Sequence, residues 1–276
     1  MITFPCCKIN LGLKILDKRT DGYHNIASVF YPVPLFDAIE ILNAEKNEFL
    51  LFGNQIAGDK TDNLVFKAHK LLEIDFKLPP VQIILLKNIP SGAGLGGGSS
   101  DGVFALKLIS DFFDLKLNKD QIHKYAIQLG SDCPFFVEAK PALVEGRGDI
   151  INAININLKG LKLVLIFPEL AINTSEAFYQ YSKYGKQKKE NDLSPQLFND
   201  IKVWKEQLVN DFEGPIFESY PKLREIKDWL YSLGAIYASM SGSGSTIFGI
   251  FDHAAIEKLK LSIKLKNWNY HIVDLD

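Results

Sequence analysis

Cysteine is scarce: three residues in 276, too few and too unevenly placed for a disulfide scaffold. Cys6 and Cys7 are adjacent, Cys133 is distant, and no C-x-x-C spacing occurs, which also excludes a cysteine zinc site. Free thiols in a reducing compartment are expected. No run approaches the roughly 18 apolar residues of a membrane span. The opening "MITFPCCKIN" has no basic segment followed by an apolar one, so no signal peptide is expected and the protein is read as cytoplasmic. Charge of one sign is also lacking. With 31 Lys and Arg against 33 Asp and Glu, the formal net charge is −2, which gives no global pull toward nucleic acid or an anionic membrane. A basic stripe interleaved with aromatics is absent, as are internal repeats and long low-complexity tracts.

What is present is an ordinary globular balance, 47% hydrophobic and 23% charged, in a chain long enough for one large domain or two ordinary ones. "CCKINLGLKIL" alternates, with Cys7, Ile9, Leu11, Leu13 and Ile15 on one face and Cys6, Lys8, Asn10, Gly12 and Lys14 on the other. That predicts a strand with one buried face. "KRTDGYH" is a turn on Asp-Gly, and "NIASVFYPVPLFDAIEIL" continues as strand. "KTDNLVFKAHKLLEI" has helical spacing with Asp62 as N-cap. "PVQIILLKNIP" is a buried strand, and Val103, Leu106, Ile109 and Phe113 mark a helix beyond it. "NKDQIHKYAIQLG" is a second helix, followed by the turn "GSDC", a strand "PFFVEA" and the turn "VEGRGD". The strand Leu161–Pro168 opens a second unit, so a boundary is placed near residue 155, with domains 1–155 and 156–276, both α+β. The polar "YGKQKKENDLSPQ" reads as a surface loop. "GAIYASMSGSGSTIFGIF" is two strands joined by a glycine–serine turn, and a helix (254–265) and a strand (269–273) end the chain.

Between the buried strand and the first of those helices lies "NIPSGAGLGGGSSDG", in which six of fifteen residues are glycine. A linker would have polar flanks; here the flanks are "VQIILL" and "VFALKLI". A strand–glycine loop–helix unit fits better. Glycine permits positive φ and close approach of a ligand, and a helix starting near Ser99–Ser100 points free N–H groups at the loop, an arrangement suited to phosphate. Walker A is excluded because Gly98 precedes the serines where that motif needs lysine. Gly92, Gly94 and Gly97 satisfy G-x-G-x-x-G, but a second helix follows instead of the parallel strand a dinucleotide fold requires.

The full string P-x-G-A-G-L-G-G-G-S-S resembles the phosphate loop of the GHMP kinases, the superfamily of galactokinase, homoserine, mevalonate and phosphomevalonate kinases. "PCCKINLGL" resembles the first motif of that superfamily and "MSGSGSTIFGIF" its third. Together they span about 250 of the 276 residues. "KINLGLKILDKRTDGYHNI", "LGSDCPFF" and "ALVEGRGD" are similar to one branch, which acts on a cytidine-diphosphate-linked alcohol of the non-mevalonate isoprenoid pathway. Cys7 and Gly102 depart from the branch, standing where alanine is usual. Gly102 is expected to cost its helix about 1 kcal/mol.

The resemblance implies an α+β, two-domain architecture, with a ribosomal-protein-like N-terminal domain, a ferredoxin-like C-terminal domain and a cleft between them. It implies an ATP- and Mg2+-dependent kinase; the near-neutral charge argues against a nucleic-acid partner and the lack of long apolar runs against a membrane one, and monomer and homodimer both stay open. Pro90, Ser91, Gly92, Ala93, Gly94, Leu95, Gly96, Gly97, Gly98, Ser99 and Ser100 would hold the triphosphate, with Asn63 and Leu64 bordering the adenine. Phosphoryl transfer to an alcohol also needs charge stabilisation and a base. Asp132 is the implied base and Lys8 its partner; that Lys8 shares the polar face of an apolar strand is independent support. For the substrate, Tyr23 and Phe178 would sandwich the cytosine, His24 would bond its edge, and Asn10, Phe30 and Thr174 would line the pocket. Two readings of Ser241–Ser245 stand: a plain hairpin turn, or a turn set against the phosphate cleft. Asp101 either caps its helix or assists the metal. A related kinase of homoserine, mevalonate or a sugar, and an RNA-binding module, are the alternative functions.

Overall fold

The computed structural model describes every residue except 57–58, 184–190, 192, 265 and 276. Most of the polar segment read as a surface loop lies outside the described residues. In chain order come β1 (Ile2–Thr3), β2 (Cys6–Lys18), β3 (His24–Phe36), β4 (Ala38–Asn43), β5 (Glu48–Gly53), α1 (Leu64–Phe76), β6 (Val81–Lys87), α2 (Gly97–Phe112) and α3 (Lys119–Leu129). There follow β7 (Ala142–Gly146), β8 (Ile150–Ala153), β9 (Leu161–Phe167), α4 (Thr174–Lys183), α5 (Trp204–Gln207), α6 (Glu213–Ser219) and α7 (Pro221–Ser232). Last are β10 (Tyr237–Met240), β11 (Ile247–Asp252), α8 (Ile256–Lys264) and β12 (Asn269–Leu275). No helix among the described residues is long and apolar enough to cross a membrane.

The chain forms two units built from interleaved segments. The first holds Met1–Lys8, Leu35–Ser91 and Gly96–Lys140. The second holds Ile9–Pro34, Gly92–Leu95 and Pro141–Asp276. Position 155, where the sequence suggests a boundary, falls between β8 and β9, inside the second unit.

In the first unit a sheet runs β1-β4-β6-β5, with β5 parallel to β6 and the other pairs antiparallel. The parallel pair needs a crossover, and α1 supplies it. Val81, Ile83, Leu85 and Lys87 are the buried set of β6, as period-2 alternation requires. Asn63, not Asp62, caps α1: its side chain accepts the N–H of Val65 at 2.9 Å. Helices α1 and α2 meet at Gly102, where an added Cβ would lie 2.9 Å from Cβ of Leu64. Glycine at this position therefore trades helix propensity for close helix packing, which alanine would obstruct.

"PFFVEA" is not a strand. Cys133–Val137 form a 3₁₀ turn. Pro134 lacks the N–H a ladder needs and suits the first helical turn. Phe135 and Phe136 are both buried though consecutive, which half-buried strand alternation would forbid.

The second unit carries two four-stranded sheets, β2-β3-β7-β8 and β10-β11-β9-β12. Leu13, Ile15, Val164, Ile166, Phe212, Ile216, Leu230, Met240 and Phe251 belong to its core. The pairs β10–β11, β11–β9 and β12–β9 are antiparallel, and β10–β11 is the hairpin expected across the glycine–serine turn. Strand β2 differs from expectation, because both its faces are buried from Cys6 to Leu13. The three cysteines are free and buried, and burial pushes their thiols up, so they are poor nucleophiles.

Candidate active site

Within the first unit, Lys8 and Asp132 face each other. Lys8 Nζ lies 3.6 Å from an Asp132 carboxylate oxygen; the lysine is buried and the aspartate is one-third exposed. Burial pushes the Lys8 ammonium below the ordinary lysine range, and Asp132 pulls it back up. Strand β2 delivers the lysine, and the turn ahead of Cys133–Val137 delivers the aspartate. Gly96 sits beside them with φ +67°, and a Cβ there would lie 3.1 Å from Lys8 Cε and from the Phe136 ring. Alanine there would press on the Lys8 side chain and the Phe136 ring.

Helix α2 begins at Gly97, two residues earlier than its serines suggest, and no side chain caps it. Its first N–H groups therefore lack intrahelical acceptors, and the helix dipole adds positive charge there. Ser100 Oγ is buried and has no hydrogen-bond partner. Gly98 is exposed, with open space where a Cβ would go. Open glycine, uncapped amides and an orphaned hydroxyl fit a phosphate group. Gly98→Ala is therefore expected to raise stability by up to about 1 kcal/mol through helix propensity. It should nonetheless raise KM for ATP severalfold, because a methyl would stand where phosphate approaches. Thermal melts with ATP titrations check both; an unchanged KM would remove Gly98 from the phosphate contact.

Asp101 neither caps α2 nor faces the loop as a metal ligand. It is buried and accepts a hydrogen bond from Lys87 Nζ at 2.7 Å. Asn63 spends its side chain on capping α1, and Leu64 packs at Gly102.

In the second unit, loop residues Ala93 and Gly94 lie against the glycine–serine turn. Thr246 N–H donates to Ala93 O at 3.3 Å, and Ser241 Oγ donates to Gly94 O at 2.8 Å. The turn is thus more than a hairpin link. Asn210, which the sequence reading missed, holds this turn: its amide donates to Met240 O and Gly242 O, both at 2.8 Å. The local signal for it is the polar pair Asn210–Asp211 set between the apolar residues of "LVNDF".

The expected substrate residues are only partly assembled. Phe178, on α4, stacks on His24 with ring centroids 4.8 Å apart and planes at 7°. Tyr23 is exposed, and the Arg147 guanidinium lies over its ring, 4.9 Å from the centroid. Burial and then Lys18 hold the His24 imidazole below its ordinary range, keeping it neutral near pH 7. Asn10 is buried and committed, donating to Ser28 Oγ at 2.8 Å and accepting from Ser241 Oγ at 3.4 Å. Phe30 is a core residue, and Thr174 bonds Ser243 at 3.1 Å.

Family models match on both sides of this geometry: the GHMP kinases N terminal domain over residues 63–140 and the GHMP kinases C terminal domain over 196–268. A 4-diphosphocytidyl-2-C-methyl-D-erythritol kinase of Bacteroides fragilis is 50% identical over 91% of this chain and 92% of its own. The chain belongs to the GHMP kinases. A relative of the same name from Chlorobium phaeovibrioides is 35% identical over 89% of this kinase and 85% of its own chain. The crystal structure of a 4-(cytidine 5'-diphospho)-2C-methyl-D-erythritol kinase superposes with TM-score 0.82 at 26% identity, covering 99% of this kinase and 98% of that chain. A homoserine kinase from Cytophaga hutchinsonii shares the fold at TM-score 0.74 and 16% identity, over 99% and 93% of the two chains. The α+β, two-domain GHMP architecture expected from the motifs is the one found.

Proposed function

We propose that this GHMP kinase phosphorylates the 2-hydroxyl of 4-diphosphocytidyl-2-C-methyl-D-erythritol with ATP. The observation that carries the chemistry is the Lys8–Asp132 pair beside Gly96 and the uncapped start of α2. The relatives' shared substrate supports the acceptor. Asp132 accepts the hydroxyl proton as the oxygen bonds the γ-phosphorus and the bond from that phosphorus to the bridging β,γ-oxygen breaks, releasing ADP. Lys8 pairs with the carboxylate and offsets charge on the transferred group. Loop residues 90–100 hold the triphosphate through main-chain N–H groups, and Asn63 and Leu64 border the adenine. Among the described residues no cluster of three or more His, Cys, Asp and Glu side chains could hold a metal. In this reading Mg2+ would supply charge neutralisation to the phosphates when bound with the nucleotide.

The pyrimidine takes the place of His24 on the face of Phe178, and His24 turns to the base edge. Two rings 4.8 Å apart leave no space for a third between them, so His24 must move. Stacking on Phe178 would contribute roughly 1–3 kcal/mol.

A coupled ADP-release assay with Mg-ATP tests this. It compares the cytidyl compound, the same alcohol lacking cytidine, homoserine and mevalonate. Turnover confined to the cytidyl compound is expected. Turnover only with another alcohol would retain Asp132 and the loop but discard the pyrimidine site.

A further inference from the structure

Beneath the glycine loop, within the first unit, lies a charge cluster that catalysis does not use. Lys87 is the last residue of β6 and the only charged member of its buried face. Its ammonium donates to Asp37 and to Asp101, and all three side chains are essentially inaccessible.

The connections are specific. Asp37 Oδ1 accepts the main-chain N–H of Asn88 at 2.6 Å and of Ile89 at 2.8 Å, the residues that lead into the loop. Asp101 is one turn into α2, the helix that follows the loop. The helix also abuts the strand exit directly: a Cβ on Gly97 would lie 2.8 Å from Ile89 Cγ2 and 3.4 Å from Lys87 Nζ. One ammonium therefore ties the chain entering the loop to the helix leaving it.

We propose that Lys87, through Asp37 and Asp101, is a positioning residue for the nucleotide phosphates, fixing the spacing at which the loop presents its amides. The proposal rests on the reading that this loop binds ATP. A flexible, glycine-rich loop would otherwise lose conformational entropy on binding. Ends held at fixed spacing reduce that loss before the nucleotide arrives.

The charge balance supports a permanent tie. Two carboxylates and one ammonium, all ionised, would leave one uncompensated buried charge, which is strongly disfavoured. No donor reaches the buried Asp101 Oδ1, so a proton on that oxygen, shared toward Asp37, satisfies it. Burial raises the Asp101 carboxyl well above the usual range; Lys87 opposes this and Asp37 adds to it. A protonated Asp101 can accept from Lys87 and donate toward Asp37, making the cluster neutral.

Three variants of the full chain test the proposal: Asp101→Asn, Asp101→Leu and the double variant Lys87→Met/Asp101→Leu. Asparagine reproduces the protonated carboxyl, one acceptor and one donor, so Kd for Mg-ATP should stay within twofold. Leucine at 101, alone or with Lys87→Met, should raise that Kd at least tenfold by calorimetry. The kcat at saturating ATP and KM for the alcohol should change less than threefold. A purely structural role would lower the melting temperature and leave this split absent. Wild-type Kd in folded leucine variants would overturn the proposal, as would asparagine binding as weakly as leucine. Failure of all three to fold would also overturn it, since the cluster would then serve folding itself. Failure of the unaltered protein to bind Mg-ATP would instead overturn the kinase reading of the loop.

Discussion

Asp132→Asn is expected to lower kcat by about 10³-fold, within the range for loss of a general base, while Kd for Mg-ATP stays near that of the unaltered protein. Asparagine keeps the size of the side chain and cannot accept the hydroxyl proton. The loop and the start of α2, which hold the phosphates in this reading, are untouched. Lys8 would lose the carboxylate that raises its pKa, so its ammonium would deprotonate at lower pH than in the unaltered protein. Asp132 is one-third exposed, so water screens part of the lost pairing and the fold should persist. Steady-state kinetics with calorimetric ATP titration separate binding from chemistry. A variant turning over at the unaltered rate would remove Asp132 from the mechanism.

Gly94→Ala should give the largest loss of stability in the loop, about 3–5 kcal/mol by adding overpacking to left-handed strain. Gly94 has φ +77°, and its Cβ would lie 2.0 Å from Ser241 O, 2.9 Å from Ser241 C and 3.1 Å from Gly244 O. These are backbone atoms of a turn that Asn210 holds in place, so they cannot move aside cheaply. Gly92→Ala is the comparison. Gly92 has φ +67° but open space, so only the backbone strain of about 1–2 kcal/mol applies. Melts of both variants should rank Gly94 well below Gly92, by a difference on the order of 5–10 °C. Equal melting temperatures would show that the turn does not lie on the loop as described.

Much of the candidate site was legible in the residues themselves. The glycine string, its apolar flanks and the serines beyond it specify a strand–loop–helix unit wherever the chain goes. The pairing of Lys8 with Asp132 followed from motif resemblance, and the 3.6 Å contact agrees with it. Strand β2 was recognisable by alternation, and the β10–β11 hairpin by its turn residues.

Other features depended on partners far away in the chain. Periodicity gave Asn10 to a polar face, but Ser241, 231 residues later, contributes to covering it. Nothing local in the sequence signals that His24 stacks on Phe178 or that Arg147 lies over Tyr23. Asp101 looked like a helix cap because a cap is a local role. Its partner Lys87 is 14 residues earlier, and Asp37, the other acceptor of that ammonium, is 50 residues before Lys87.

Local backbone preference, side-chain period and turn chemistry act over a few residues, so the sequence by itself determined the glycine loop, the helix after it and the β10–β11 hairpin. Which buried polar groups meet is decided by how strands and helices pack, because each must find a partner once water is excluded. Only the tertiary structure could therefore place Asp37, Lys87 and Asp101 together beneath the loop, or set Ser241 against Gly94.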